Sequence, residues 1–430
     1  MKESESGKVK FTIIIPTRER CDTLESALET CVSQDYGNLE IIVSDNFSQD
    51  RTKEVVDSFK DNRIRCINPG KRVSMSDNWE FALSHVHSGY VMYLGDDDGI
   101  LPGALTELNE IINETHSEAI SWKSAGYCWP ECISENSGNM LTIPLKDSLI
   151  KRNSKEMLKE VAGFRMCYYE LPMLYRGLVS YSAIKRASES GRFFHSMIPD
   201  VYSGIAIACI TETYYYSSKP YTIEGISHHS TGAAIFNAAD KKSEKKFLSE
   251  ENIPFHSRMV YAPSMPILVA ESLLQAHDHI SSAKRFEIDM KGVISAAVGY
   301  AVTAPESQYN LVIGAVKEIA KINGVEEYVS QVIAANKNVP LRAVKPVPGV
   351  NIFLGQVLIN CSKFGVCNVY EASLLCRHVI AMRKAGYFSL GHITMTTFGL
   401  IKREIQKRSG LPPFSLIKSF GIIRRILLKR

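Results

Sequence analysis

The chain lacks the marks of several common classes of protein. Its first ten residues, MKESESGKVK, are polar and mixed in charge, so no secretory leader is read there. No apolar stretch reaches the roughly 20 residues that span a bilayer; the nearest, Gly292 to Ala304, is short and carries polar residues. There is no G-x-G-x-x-G and no G-x-x-x-x-G-K-[ST], so neither the dinucleotide fingerprint nor the P-loop applies. Charge of one sign is not in excess: the formal net charge of +4 is too small to argue for a nucleic-acid partner, and none is expected. The 10 cysteines are scattered. Cys128 and Cys132 are separated by WPE, and Cys361 and Cys367 by SKFGV, and neither spacing is that of a zinc ribbon. Reduced thiols and a cytoplasmic location are expected. No internal repeat is found.

What is present begins with hydrophobic and charged fractions of 45% and 22%, ordinary for a globular protein, in a 430-residue chain long enough for two domains. Lys10 to Ile15 is a strand-like run stopped by Pro16, and Leu24, Leu28, Cys31 and Val32 follow at helical spacing. Leu39 to Val43 reads as a second buried strand ending in Asp45 and Asn46. A helix is expected over 48–59, a short strand over 63–67, and a helix over 77–86. Tyr90 to Leu94 is a strand that stops at Gly95 and three adjacent acids, Asp96, Asp97 and Asp98. Three such carboxylates repel one another and need a cation or a network of donors if buried. Hard divalent cations favour such oxygen ligands, whereas an isolated acidic turn at the surface would need none.

Strands alternating with helices imply βαβ units and a mostly parallel sheet, with ligands bound at the carboxyl ends of the strands. Three such ends here are polar: Pro16-Thr17-Arg18, Asp45-Asn46 and Asp96-Asp97-Asp98. Further on, 154–162 reads as a helix and 175–184 as a strand entering a helix. Asp200 precedes an apolar helix, where an acid is also a common cap. Long helical patterns follow at 266–277, 293–302 and 311–322.

Together, FTIIIPTRER, LEIIVSDNFSQDRT, the Asn78-Trp79 helix and GYVMYLGDDDGILPGAL resemble the inverting nucleotide-sugar glycosyltransferases of family two, over about residues 9–235. The resemblance implies an α/β class and a GT-A (Rossmann-like), mostly parallel sheet flanked by helices, followed by a mainly α-helical C-terminal region. It places the donor base and ribose on Pro16, Thr17, Arg18, Asp45 and Asn46. The acidic triplet corresponds to the DXD motif that holds a divalent metal, Mn²⁺ or Mg²⁺, on the diphosphate, with Asp96 also beside the donor. The literal motif pairs Asp96 with Asp98. Counting back from Pro102 pairs Asp97 with Asp98, because Gly95 stands where many relatives have their first acid. Asp200 corresponds to the general base. A later histidine completes such sites, so His228 or His229 is a candidate ligand; on a strand only one of the two would face the metal. Ser227, Ser230 and Thr231 are candidate donors to phosphate.

The expected partners are a nucleotide-sugar donor, UDP-linked, and a glycan or lipid-linked acceptor. Alternatives are a nucleotidyltransferase, which would carry a Gly-rich basic loop after its first strand, and a non-catalytic module of the same fold. The expected division is a polar tail at 1–8, the transferase domain at 9–238, the helical region at 239–410 and a basic amphipathic helix at 411–430. In that last segment Leu416, Phe420, Ile423 and Leu427 recur at helical spacing among basic residues. Such a helix suits either packing on its own protein or peripheral contact with an anionic inner membrane face.

Overall fold

In the computed structural model of the chain, the described residues are 7–132, 138–230, 241–336, 350–353 and 355–385. The expected tail helix at 411–430 lies outside them, as does Thr231.

The apolar runs form β1 (Phe11–Thr17), β2 (Leu39–Asp45), β3 (Ile64–Ile67) and β4 (Tyr90–Tyr93), all parallel in the order β3-β2-β1-β4. Helices α1 (Cys21–Val32), α2 (Thr52–Ser58) and α3 (Met75–Leu83) fill the crossovers that parallel pairing requires. Ile13, Ile15, Ile41 and Val43 enter one core, and Ile14 and Ile42 the opposite one. Successive strand residues face opposite ways, and this sheet is covered on both faces.

Past β4 come β5 (Gly99–Ile100), α4 (Ala104–Thr115), β6 (Ala119–Trp122), β7 (Ala125–Cys128), β8 (Met140–Pro144), β9 (Leu149–Asn153) and α5 (Ser154–Ala162). Then follow β10 (Gly177–Ser180), α6 (Tyr181–Ala187), α7 (Pro199–Ile210), β11 (Thr213–Ser217) and β12 (Thr222–Ile226). The expectation of a mostly parallel sheet holds, since β6 and β11 run the same way as the first four strands. Strand β10 runs against both β4 and β6, and the eight-stranded sheet, completed by β11 and β9, is mixed.

Within 239–410, α8 (Lys241–Glu250), α9 (Met265–His279), α10 (Met290–Ala301), α11 (Glu306–Ile322) and α12 (Glu326–Asn336) bear out the helical expectation. Helix α9 is apolar on opposite faces: Leu268, Leu273 and Ala276 join the core under α7, and Ile267, Ala270 and Leu274 join a core with α10 and α11. After α12 the chain returns to the α/β part, which the sequence reading did not foresee. Strands β13 (Val350–Phe353) and β14 (Gln356–Asn360) form a hairpin around Gly355 at φ +74°, and β14 pairs with β8. A second sheet results, in the order β13-β14-β8-β7-β12-β5. Helix α13 (Val369–Lys384) then lays Val369, Ala372, Cys376 and Val379 on the core beside α1.

One buried polar chain ties the helical region to the α/β part. Glu271 of α9 accepts from Ser196 Oγ at 2.7 Å and Gln275 Nε2 at 2.6 Å, and Ser196 O accepts from Ser76 Oγ of α3 at 2.6 Å. Burial pushes the Glu271 carboxyl up to about 7, against the pull of Ser196 and Gln275. The folded state therefore holds this proton more tightly than the unfolded chain. Its contribution is fully present below the ordinary 4.5 and is lost as pH rises towards about 7. Glu271→Gln should remove a pH-dependent loss on the order of 3 kcal/mol between those limits. Urea unfolding of both proteins at pH 5 and pH 8 checks this; parallel pH profiles would contradict it.

Candidate functional site

The register brings the polar strand ends together. Thr17 pairs with Asp45 across β1 and β2, Ile14 pairs with Tyr93 across β1 and β4, and Leu94 N donates to Ile14 O at 2.9 Å. A cavity of about 180 Å³ opens there, lined by Pro16, Thr17, Arg18, Asn46 and Asp96 among others. Trp79 and Asn78 of α3 and Phe247 and Glu250 of α8 also line it. Asn46 pins the neighbouring loop by a paired bond to Val73, at 2.8 Å to its carbonyl and 2.9 Å from its N–H. Asp45 does not line the cavity. Its carboxylate accepts from Ser48 N at 3.0 Å and Asn68 Nδ2 at 3.3 Å. Arg18 is held by Glu250 at 2.6 Å, and Glu250 also takes Arg72 at 2.7 Å.

The three acids are all buried, and each is held differently. Asp96 Oδ1 accepts from Arg20 at 2.8 Å. Asp97 Oδ2 accepts from Ser227 Oγ at 2.7 Å and Ser230 Oγ at 2.6 Å, so both serine hydroxyls are held on the acid. Asp98 gives both oxygens to protein donors: Tyr175 OH at 2.5 Å and Gly95 N at 2.9 Å on one, Gly225 N at 2.7 Å on the other. Burial raises the Asp96 carboxyl despite Arg20, and burial with the Asp97 charge beside it pushes Asp98 up to about 7. Burial also opposes the Arg20 charge, yet Asp96 and Asp97 outweigh it and hold the guanidinium above its ordinary range.

This arrangement explains the two glycines. A Cβ on Gly95 would meet Asp98 Oδ2 at 2.7 Å, so the folded-back Asp98 occupies the space of an acid side chain at position 95. A Cβ on Gly225 would stand 1.7 Å from the Asp97 carbonyl, which also accepts from Trp129 Nε1 at 2.9 Å.

Asp200 lies in the first turn of α7 but is not its cap, which is Ile198. Burial raises its carboxyl, while the backbone N–H groups of the turn and the charge of Arg176 favour its ionised form. Ser203 fixes this turn to the segment bearing Tyr175, just before β10: its Oγ accepts from Leu174 N at 3.1 Å and donates to Asp200 O at 2.6 Å. Arg176, at φ +61°, pairs with Glu224 and stacks 3.6 Å above the Tyr169 ring. Tyr175, Arg176, Glu224 and Gly225 thus link the Asp98 and Asp200 neighbourhoods.

The histidines are placed otherwise than expected. Strand β12 ends at Ile226, so His228 and His229 do not alternate; their rings lie 3.7 Å apart in a turn. His229 Nε2 is 3.5 Å from Asp22, and one ligand atom from each of Asp22, His228 and His229 lies within 4.8 Å of the others. The His229 carbonyl accepts from Arg20. The sequence reading passed over Arg20, Tyr175, Gly225 and Glu250. Arg20 had a signal in the need of three buried acids for a cation; Glu250 and Tyr175 reach the site from sequence-distant elements and had none.

Fold and site define an α/β protein with a ligand cleft at the carboxyl ends of its parallel strands and buried acids at the cleft wall. Residues 12–173 match the profile of glycosyl transferase family 2. The chain is 34% identical over 134 residues to GalNAc(5)-diNAcBac-PP-undecaprenol beta-1,3-glucosyltransferase of Campylobacter jejuni, covering 30% of this chain and 40% of that protein. It is 33% identical over 87 residues to UDP-Glc:alpha-D-GlcNAc-diphosphoundecaprenol beta-1,3-glucosyltransferase WfaP of Escherichia coli, covering 20% and 35%. The matches therefore span two-fifths or less of these relatives' own length. A crystal structure of S. aureus TarS 1-349 with UDP-GlcNAc superposes with a TM-score of 0.43 at 14% identity, covering 80% of this chain and 95% of that one.

Arg20→Met removes the guanidinium that holds Asp96 and should cost about 3–5 kcal/mol in urea unfolding without divalent cations. Unchanged stability would contradict the charge reading. Gly225→Ala should cost at least about 1–3 kcal/mol through overpacking against Asp97, checked by the same unfolding measurement.

Proposed function

We propose that the protein is an inverting glycosyltransferase that moves glucose from UDP-glucose to a hydroxyl of a glycan carried on a polyprenyl diphosphate. The observation that carries this reading is the set of buried acids beside a cleft at the strand ends, with Asp200 joined to them through Tyr175 and Arg176. The names of the Campylobacter and E. coli relatives supply the donor and acceptor classes. The transfer unit would be residues 9–238, with β13, β14 and α13 completing its core.

Pro16, Thr17 and Asn46 bound the cleft for the nucleotide, and Asp45 orders the loops beside it. A carboxylate or amide there suits a uracil N–H or a ribose hydroxyl. Arg18 and Arg72 supply positive charge at the mouth, now shared by Glu250. Three carboxylates against one guanidinium leave a negative excess, and their oxygens are the hard donors that Mg²⁺ and Mn²⁺ prefer. Asp96 and Asp97 would hold such an ion, because Asp98 commits both oxygens to the protein. When bound, the ion would offset charge on the departing diphosphate. Asp200 takes the proton from the acceptor hydroxyl as that oxygen attacks the sugar carbon and the bond to UDP breaks. Its burial raises proton affinity in the direction a base needs. Among the described residues no helix is long and apolar enough to cross a membrane, so a lipid-linked acceptor would be met at the membrane surface.

The test is transfer from UDP-glucose with Mn²⁺ to a polyprenyl-diphosphate glycan. Asp200→Asn should lower turnover by about 10²–10⁴-fold and leave UDP binding unchanged. Equal loss of UDP binding would remove Asp200 from the base role, and absence of transfer from any nucleotide sugar would overturn the enzyme reading.

A further inference from the structure

A second cavity, of about 520 Å³, lies away from the strand ends, between α4, the loop after β8, the turn before β12 and the end of α13. Its walls are apolar where Leu145, Pro220 and Ile380 line it, and its rim is cationic. Lys219 and Arg377 both pair with Glu107 and so brace the rim. Lys146, Arg383 and Lys384 are exposed and have no acidic partner among the described residues. Asp147 is the one acid on the rim besides Glu107.

Beside this rim runs the edge strand β9. It starts two residues after Asp147, and its loop is bound to the turn before β12 by Ser148 O accepting from Ser218 N at 2.8 Å. Its Leu149 and Ile150 are 41% and 44% exposed, and Lys151, next on the same strand, is exposed too. Large apolar side chains on a sheet edge invite pairing unless something covers them. Cations flanking exposed leucine and isoleucine are the chemistry of an interface between water and an anionic bilayer.

We propose that this end of the molecule, centred on Lys146, Leu149, Ile150, Arg383 and Lys384, docks on anionic phospholipid. Charge decides the occupant. The chain continuing past Ala385 carries nine lysines and arginines and one acid, Glu404. A segment of that sign is repelled by the cationic rim, whereas both are drawn to the same anionic surface. The placement also suits the proposed acceptor, and to that extent it rests on the proposed function. Strand β12 begins two residues past Pro220 and ends where Gly225 and Ser227 meet Asp98 and Asp97. Its five residues span about 17 Å, so a surface-bound rim would keep the acid cluster within that strand length of the bilayer.

The experiment is co-sedimentation of the full chain with vesicles of phosphatidylcholine alone or mixed with phosphatidylglycerol. The wild type should bind the mixed vesicles and bind phosphatidylcholine weakly. The triple variant Lys146→Glu, Arg383→Glu, Lys384→Glu should bind the mixed vesicles about tenfold or more weaker. The pair Leu149→Ser, Ile150→Ser should weaken binding severalfold, and UDP binding by both variants should match the wild type and report that they are folded. Wild-type affinity in the triple variant, or equal binding to both vesicle types, overturns the proposal. The readout contains no transfer step, so loss of the docking surface and loss of the transferase reading are separate results.

Discussion

Three carboxylates in one buried turn, with one guanidinium against them, form the constraint on which the rest of this structure depends. Their mutual repulsion and lost hydration must be offset by donors, and the donors come from every part of the α/β unit. Arg20 comes from the loop after β1, Tyr175 from the approach to β10, Gly225 and Ser227 from the end of β12, and Ser230 from the turn beyond. Each of these bonds fixes an element that the proposed reaction uses. The Tyr175 bond places Arg176 near Asp200, and the β12 bonds bring the second sheet under the cleft.

The same constraint explains why the C-terminal third is not an appendage. A Cβ on Gly99, just past the acids, would meet Val369 of α13 at 3.0 Å and Thr30 of α1 at 3.1 Å, so α1 and α13 close directly on the acidic turn. On the other face, the Glu271–Ser196–Ser76 chain joins α9 to the segment that leads into Asp200 and to the helix that floors the cleft. Glu250 of α8 adds a third contact, holding Arg18 and Arg72 at the cleft mouth. Rigidity at the site is therefore borrowed from helices far along the chain.

The parallel half of the fold was legible because its signals are local. The runs before Pro16, Asp45 and Gly95 are continuous and apolar, as strands buried on both faces must be, and the helices between them repeat at helical spacing. The acid cluster was legible because charge at the end of an apolar strand has few packing explanations, whereas Asp200 was singled out only through the family resemblance, since an acid at a helix start is also a common cap. What was not legible depends on distant pairing. The hairpin at 350–360 is a strand pair only because β8 is there to receive it, and β10 reverses the sheet without any local mark. The histidines were misplaced for a related reason: alternation holds only while a strand continues, and β12 stops at Ile226. The role of Gly95 could not be read either, since it follows from where Asp98 folds in space.

The central proposal is that a divalent cation offsets the excess negative charge of the acid cluster and in turn draws the anionic nucleotide diphosphate to it. Calorimetric titration of UDP into the wild type, with Mn²⁺ and with chelator, tests it most directly. The account predicts UDP affinity about tenfold or more higher with Mn²⁺, a coupling of about 1.4 kcal/mol or more, and loss of that gain in Asp96→Asn. Equal UDP affinity with and without the ion in the wild type would contradict it.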